Sequence, residues 1–232
     1  MLKVLREEKK FLLSYLQYKE KDFYLSKLLH GDKHNGVNGY KVRSLYFDTV
    51  YDTDYFEKLN GTENRRKIRL RIYSPDDAVA KLVMKQKQGS KQLKRSLTVS
   101  RQDAIELIRG RYEVLLKYDK EEFSSEIYAF MKTRCYRPCT VVEYDRKAYI
   151  AKENSIRITF DSNIRASESN FDIFSNKLNL VPVMDLHNVV MEVKFNGFLL
   201  SYIKDMLSDT DSSEISVSKY YLARHSAYNT HL

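Results

Sequence analysis

The sequence predicts an α+β protein built on an antiparallel sheet that has one cationic and one apolar face, with helices packed over the apolar one. Three observations point there. In Lys67-Ile68-Arg69-Leu70-Arg71-Ile72-Tyr73 the residues alternate between cationic and apolar as far as Ile72. Strand side chains point to opposite faces with a period of two, so Lys67, Arg69 and Arg71 share one face and Ile68, Leu70 and Ile72 the other. Second, the pattern returns in other segments, with long cationic side chains on one side each time. Third, apolar residues at helical spacing, such as Phe123, Ile127, Phe130 and Met131, supply the stripes that such a sheet needs as cover.

Taken in order, residues 5–13 form the first strand, with Arg6, Glu8 and Lys10 on one face and Leu5, Glu7, Lys9 and Phe11 on the other. Residues 19–29 read as helix, and 31–39, with two Asn-Gly pairs, as a turn-rich loop. A strand over 41–48 ends at Asp48-Thr49, which suits the start of a short helix over 51–59 that Asn60-Gly61 closes. The strand from Lys67 ends at the Ser74-Pro75-Asp76-Asp77 turn, and 81–87 follows, with Lys81, Lys85 and Lys87 opposite Leu82 and Met84. Gly89-Ser90 is a turn. The strand 94–100 stops at Ser100, an N-cap for the helix through Ile108, and a second helix covers 120–133.

Strands resume at 141–150, 156–161 and 189–195. In the second of these Arg157, Thr159 and Asp161 face away from Ile156, Ile158 and Phe160; in the third Glu192 and Lys194 share the polar face. For Glu143-Tyr144-Asp145-Arg146 alternation alone leaves two faces open, Glu143 with Asp145 or Tyr144 with Arg146. Helices over 198–207 and around 218–224 end the chain. Without repeats, low-complexity stretches or a linker, residues 1–232 read as a single domain.

Forty Lys plus Arg against 31 Asp plus Glu give a formal charge of +9, which points to a polyanionic partner. No apolar run approaches the roughly 18 residues of a membrane span, and the start lacks a signal-peptide apolar region, so a soluble cytoplasmic protein is expected. Cys135 and Cys139 have no second Cys or His pair nearby to complete a zinc site and read as reduced structural thiols. In a closed barrel the cationic faces would line a tunnel, and cations packed so closely need an anion among them; such a site suits several phosphates. Nucleic-acid binding is disfavoured, because nucleic-acid readers interleave aromatics and cations on an open surface, whereas these cations lie opposite apolar residues that need cover.

An ordered set of motifs resembles the VTC domain, the polyphosphate polymerase branch of the triphosphate tunnel (CYTH-like) superfamily. It comprises Arg6-x-Glu8-x-Lys10, Ser44-Leu-Tyr-Phe-Asp48, Lys67-x-Arg69-x-Arg71, Lys85-x-Lys87 with Lys94-Arg95-Ser96, Glu143-Tyr144-Asp145-Arg146, Arg157-Ile-Thr-Phe-Asp161, Met191-Glu192-Val-Lys194 and Ser218-Lys219-Tyr220. The resemblance implies an antiparallel β-barrel tunnel of about eight strands, with a cationic interior and helices outside. It also implies transfer of the terminal phosphate of ATP to a growing polyphosphate chain, with Mn²⁺ or Mg²⁺. By position, Lys10, Arg69, Arg71, Lys85, Arg146, Arg157 and Lys219 would hold the reacting phosphates. Arg6, Lys67, Lys87, Tyr144, Lys194 and Ser218 would add substrate contacts, and Glu192 with Glu8 would bind the metal. The match at Tyr144-x-Arg146 turns Arg146 inward.

The chain departs from the family at one place: relatives often carry Glu two residues before the position of Lys85, where this chain has Val83. Glu8 and Glu192 are then the main acidic ligands, a sparse set that favours a polymerase-like or phosphate-binding site over a multi-metal hydrolase. The alternatives to polymerase are a non-catalytic polyphosphate or triphosphate binder and a tunnel-fold triphosphatase. Activating partner and oligomeric state are not legible.

Overall fold

The structure is a computed structural model in which residues 6–89, 91–208 and 214–230 are described. In chain order the elements are β1 (Arg6–Ser14), α1 (Tyr15–Leu28), β2 (His30–Gly31), β3 (Tyr40–Thr49), α2 (Thr53–Leu59), β4 (Asn64–Ile72), β5 (Val79–Gln88) and β6 (Lys91–Ser100). Then come α3 (Arg101–Ile108), α4 (Glu122–Thr133), β7 (Tyr136–Ile150), β8 (Arg157–Ser167), β9 (Val181–Pro182), β10 (Asn188–Asn196), α5 (Ser201–Ser208) and α6 (Lys219–Thr230). The helix starts follow local chemistry. Ser14 and Gln17 form a capping box, which starts α1 at Tyr15, four residues earlier than periodicity indicates. Ser100 caps α3 by accepting from the Asp103 amide at 3.1 Å, as expected from its place before the apolar run.

Contacts divide the chain into two compact units. The first is drawn from the described residues of Met1–Lys41, Tyr144–Ile164 and Met184–Ser218; the second from Val42–Glu143, Arg165–Val183 and Lys219–Leu232. Unit 1 carries the strand order β1-β10-β8-β7, with β2 added to β7. Its core joins Leu13, Phe160, Met191 and Val193 to Leu25 of α1 and Ile203 of α5. Unit 2 carries β3-β4-β5-β6, with the first part of β7 beside β3. Ile68, Leu70, Ile72, Leu82 and Met84 lie in its core under Leu107 of α3 and Ile127 and Met131 of α4, as the alternation predicts.

The registers given by the described residues are antiparallel. Among the described residues the strands number ten, and the sheet is not closed into a barrel, which corrects the expected closed tunnel of about eight. The path ends at β1 and β6. On β1 the edge is taken within unit 1, where the Ile215 amide donates to the Lys10 carbonyl at 2.8 Å and Phe11 bridges Glu214. On β6 the strand presents exposed Lys94, a residue type that discourages further pairing. Side-chain period reports which residues share a face and is silent about backbone edges.

In unit 2, α6 is fastened by carboxylates around the start of α2. Asp48, fully buried, accepts from the amides of Thr49, Asp54 and Tyr55 at 2.7 to 3.0 Å and from the Tyr220 hydroxyl. It thus caps α2 from a distance, a role the sequence indicates only as a helix start at Asp48-Thr49. Asp52, in the left-handed region at φ 52°, accepts from Arg224 at 2.6 Å and from Tyr228 at 2.5 Å. Asp54 accepts from the Tyr136 hydroxyl at 2.9 Å; desolvation, with the charge of Asp48 next, pushes its carboxyl up to about 8. Cys135 and Cys139 are both free thiols.

Two outcomes follow from this packing. Leu70→Asp places a charge in the core and abolishes the cooperative thermal transition, whereas Arg71→Ala, on the opposite face, leaves it in place. The reverse result would show the strand to be facing the other way. For Asp54, the folded carboxyl keeps its proton up to about 8, while an unfolded one releases it near 3.9. Stability therefore falls as pH rises between those values, by at most about 1.4 kcal/mol per unit. Melting curves from pH 5 to 8 should show that decline in the native chain and a flatter profile in Asp54→Asn.

Candidate functional site

Most of the candidate side chains lie on the non-core faces of the strands, and these faces differ between the units. In unit 2 the register sets cations opposite cations: Lys67 faces Lys85, which faces Lys94, and Arg71 faces Lys81. Lys67, Arg69, Arg71, Lys85 and Lys87 are half-buried and Lys81 and Lys94 exposed, so their stems lean on the sheet. The ammonium of Lys94 is held below the usual lysine range, first by desolvation and then by repulsion from Arg69, Lys85, Arg71 and Lys81. This is the signature of a strongly positive surface.

β3 supplies neutral acceptors beside the arginines. Arg71 Nε donates to Ser44 Oγ at 3.1 Å, and Arg69 Nη1 to the Tyr46 hydroxyl at 3.3 Å. The Tyr46 ring is stacked on Tyr220 of α6 with centroids 5.1 Å apart. Burial pushes this phenol up, but the charges of Arg69, Arg71 and Lys219, with the hydrogen bond from Arg69, outweigh burial and leave it below the ordinary tyrosine range. Lys219 is thereby gathered to the same cationic group as Arg69 and Arg71. Val83 is buried on this face, opposite Arg69 and Ser96.

In unit 1 the register pairs opposite signs. Glu8 lies opposite Lys194, and Lys10 opposite Glu192. Lys10 Nζ reaches Glu8 at 2.8 Å and Glu192 at 3.8 Å, and Lys194 Nζ reaches Glu8 at 3.7 Å and also contacts Glu192. Glu192 is buried, and next to it across β8 is Thr159, whose buried hydroxyl has no hydrogen-bond partner among the described residues. Lys10 Nζ further donates to the Val217 carbonyl at 3.3 Å, beside buried Ser218.

Two cations expected at phosphates are paired to carboxylates. Arg146 makes a bidentate pair with buried Asp161 at 2.7 and 2.8 Å, with its guanidinium 5.2 Å from the centre of the Tyr144 ring. Arg157, opposite Lys194 in register, is paired to Asp32 at 2.6 Å and donates to the Tyr40 hydroxyl at 3.2 Å. The remaining acid of the ambiguous stretch, Glu143, belongs to unit 2, where it is buried between Arg43 and Arg165. Arg6 opens β1, and its side chain lies outside the described residues.

Sequence reasoning passed over Tyr46, Ser44, Asp161 and Asp32 as partners of the site arginines. Three of them were within reach of alternation: Ser44 and Tyr46 share a face on β3, and Asp161 shares one with Arg157. Asp32 sits in the loop between β2 and β3, where no period applies.

Among the described residues no three His, Cys, Asp or Glu side chains cluster as a metal cage. Glu8 and Glu192, with the unpartnered hydroxyl of Thr159, form a small hard-oxygen set. That set fits a cation such as Mg²⁺, which keeps several waters and is bound by one or two carboxylates plus substrate phosphates. No helix of the described residues is long and apolar enough to cross a membrane.

None of the curated protein sequences matches the chain. Among solved structures it is similar to a Bacillus halodurans protein provisionally named an adenylate cyclase, at 15% identity and a TM-score of 0.52 over 92% of this chain and 95% of that one. A Vibrio parahaemolyticus protein of the same provisional name matches at 10% identity and a TM-score of 0.50, over 94% of this chain and 97% of that one. Identities this low show a shared fold and nothing finer. The family comparison reaches further, because the VTC domain model matches residues 5–228, the span that holds both the cationic rows of unit 2 and the Glu8, Lys10, Glu192 and Lys194 group of unit 1. The chain belongs to the VTC domain family.

Proposed function

We propose that the protein is a metal-dependent phosphotransferase that takes the terminal phosphate of ATP and adds it to a polyphosphate chain. The observation that carries this reading is the cationic face of unit 2, where the register sets Lys67 opposite Lys85, Lys85 opposite Lys94 and Arg71 opposite Lys81, with Arg69 on the same face of β4. A triphosphate brings several negative charges to such a surface, and charge-assisted hydrogen bonds from arginine forks are among the strongest available to it. Lys67 and Lys87, on the same strand faces, extend the row and suit a chain of phosphates better than a single one.

In the transfer, an oxygen of the acceptor's terminal phosphate attacks the γ-phosphorus. The bond from that phosphorus to the β–γ bridging oxygen breaks, and ADP leaves with the electron pair. The protein forms no covalent bond. Its work is to hold the phosphates in line and to stabilise the charge that develops on the leaving oxygen. Glu8 and Glu192 would hold a divalent cation, which neutralises phosphate charge when bound. Lys10 and Lys194 then have a role of their own: by contacting both carboxylates they hold the acids in one orientation, where a divalent cation would bind. On this reading Arg146 and Arg157 orient strands through Asp161 and Asp32 unless substrate draws them away. Tyr144 and Ser218 remain proposed substrate contacts.

A second reading, a non-catalytic binder of triphosphate or polyphosphate, is favoured by Val83, which leaves an apolar side chain opposite Arg69 where relatives often offer a carboxylate.

Tripolyphosphate at one hundred times its dissociation constant should raise stability by about 2.7 kcal/mol, read as an upward shift in melting temperature. Arg69→Ala and Arg71→Ala should each weaken its binding about ten-fold, measured by titration calorimetry, with melting of the free protein little changed. No shift with millimolar ligand would remove the phosphate-binding reading altogether. Purified protein incubated with ATP and Mn²⁺ should yield polyphosphate on a stained gel, and Glu192→Gln should cut that turnover about a hundred-fold, equivalent to about 2.7 kcal/mol of barrier, while keeping tripolyphosphate affinity. Binding without product in the native protein would favour the non-catalytic reading.

A further inference from the structure

Tyr46 has no assigned part in phosphate binding, yet its surroundings are those of a ligand-binding phenol. Its ring is buried, 4% exposed, and stacked on Tyr220, so the side chain is fixed in direction. Opposite it across β4 is Arg69, which donates to its oxygen at 3.3 Å. In that bond the phenol is the acceptor, and its own hydrogen remains to be given elsewhere. No acceptor for it is present among the described residues. The charged groups around the hydroxyl are Arg69 and Arg71 from β4 and Lys219 from α6. Behind the ring, Tyr220 is tied to buried Asp48, whose charge is engaged by three amides as well.

We propose that Tyr46 is a phosphate ligand of the cationic face, donating its hydroxyl hydrogen to a phosphate oxygen held by Arg69 and Arg71. This rests on the triphosphate-binding reading above and adds a neutral donor to a set that otherwise consists of cations. Such a donor has a distinct use. An arginine or lysine attracts any anion, whereas a fixed hydroxyl between them rewards an oxygen at one position and so selects the register of the phosphate chain on the face.

The role also carries a pH signature. The cations that surround the phenol make its ionisation easier than that of an ordinary tyrosine, which titrates near about 10. Once ionised, Tyr46 has no hydrogen to donate and places a negative charge where the phosphate must sit. Its contribution to affinity is therefore present near neutral pH and is lost as pH rises through its titration. Bound phosphate opposes the same ionisation, so ligand raises the pKa of the phenol.

The test is calorimetric titration of tripolyphosphate into the full chain and into Tyr46→Phe from pH 7 to 10. Phe keeps the ring and its stacking on Tyr220, and equal melting temperatures for the two free proteins check that it does. At pH 7 the variant should bind about ten-fold more weakly, and the ratio of variant to native dissociation constants should fall as pH rises. A difference spectrum of tyrosinate absorbance, native minus variant, should show one phenol titrating below the ordinary range and moving upward when tripolyphosphate is added. A ratio of one at all pH values, or a ratio that does not change with pH, overturns the assignment while leaving the triphosphate reading intact. Failure of the native chain to bind tripolyphosphate at any pH overturns both.

Discussion

The constraint on which unit 2 depends is that a β-strand cannot bury one face without committing the other. Leu70, Leu82 and Leu97 lie opposite one another across β4, β5 and β6 and are sealed in the core. The same backbone, one residue along, then brings Arg71 opposite Lys81, and further along Lys67 opposite Lys85 and Lys94. Like charges directly opposite one another destabilise a sheet by roughly 0.2 to 1 kcal/mol per pair. A fully buried leucine contributes about 1.5 to 3 kcal/mol, so the apolar layer wins and holds the cations together against their repulsion. Desolvation first, and then the neighbouring cations, hold Lys94 below the usual lysine range, and the charges of Arg69, Arg71 and Lys219 lower Tyr46 against its burial.

Unit 1 solves the same geometric problem with the opposite chemistry. Its polar strand faces alternate in sign, so Glu8 meets Lys194 and Lys10 meets Glu192, and the arginines of β7 and β8 are matched by Asp161 and Asp32. One period-two rule has therefore produced two surfaces in one chain, one of like charges and one of paired opposite charges.

Much of the fold was legible because burial imposes its period directly on residue type. Ile68, Leu70 and Ile72 had to face a core, and α4 had to present Phe123, Ile127 and Met131 to it. The partners of the arginines were less legible. That Arg146 and Arg157 reach Asp161 and Asp32 was not readable, since alternation shows which face a side chain takes and says nothing of which neighbour it reaches across a strand or from a loop. Backbone edges were illegible for a related reason: they are filled by backbone hydrogen bonds, as residues 214 and 215 fill part of β1, and residue type does not report them.

By itself, then, the amino-acid sequence determined the strand faces, the covering helices and the presence of a dense cationic group, because each is a property of local period and charge. Membership of the VTC family was readable in the same way, from motifs spaced along the chain. Tertiary structure alone decided which cations are paired to carboxylates, that Tyr46 stands among Arg69, Arg71 and Lys219, and that Glu8 and Glu192 share two lysines. These are distances of a few ångströms between residues up to about two hundred positions apart. Hydrogen bonds and ion pairs of that range depend on register and on the approach of separate segments, and no local pattern encodes either.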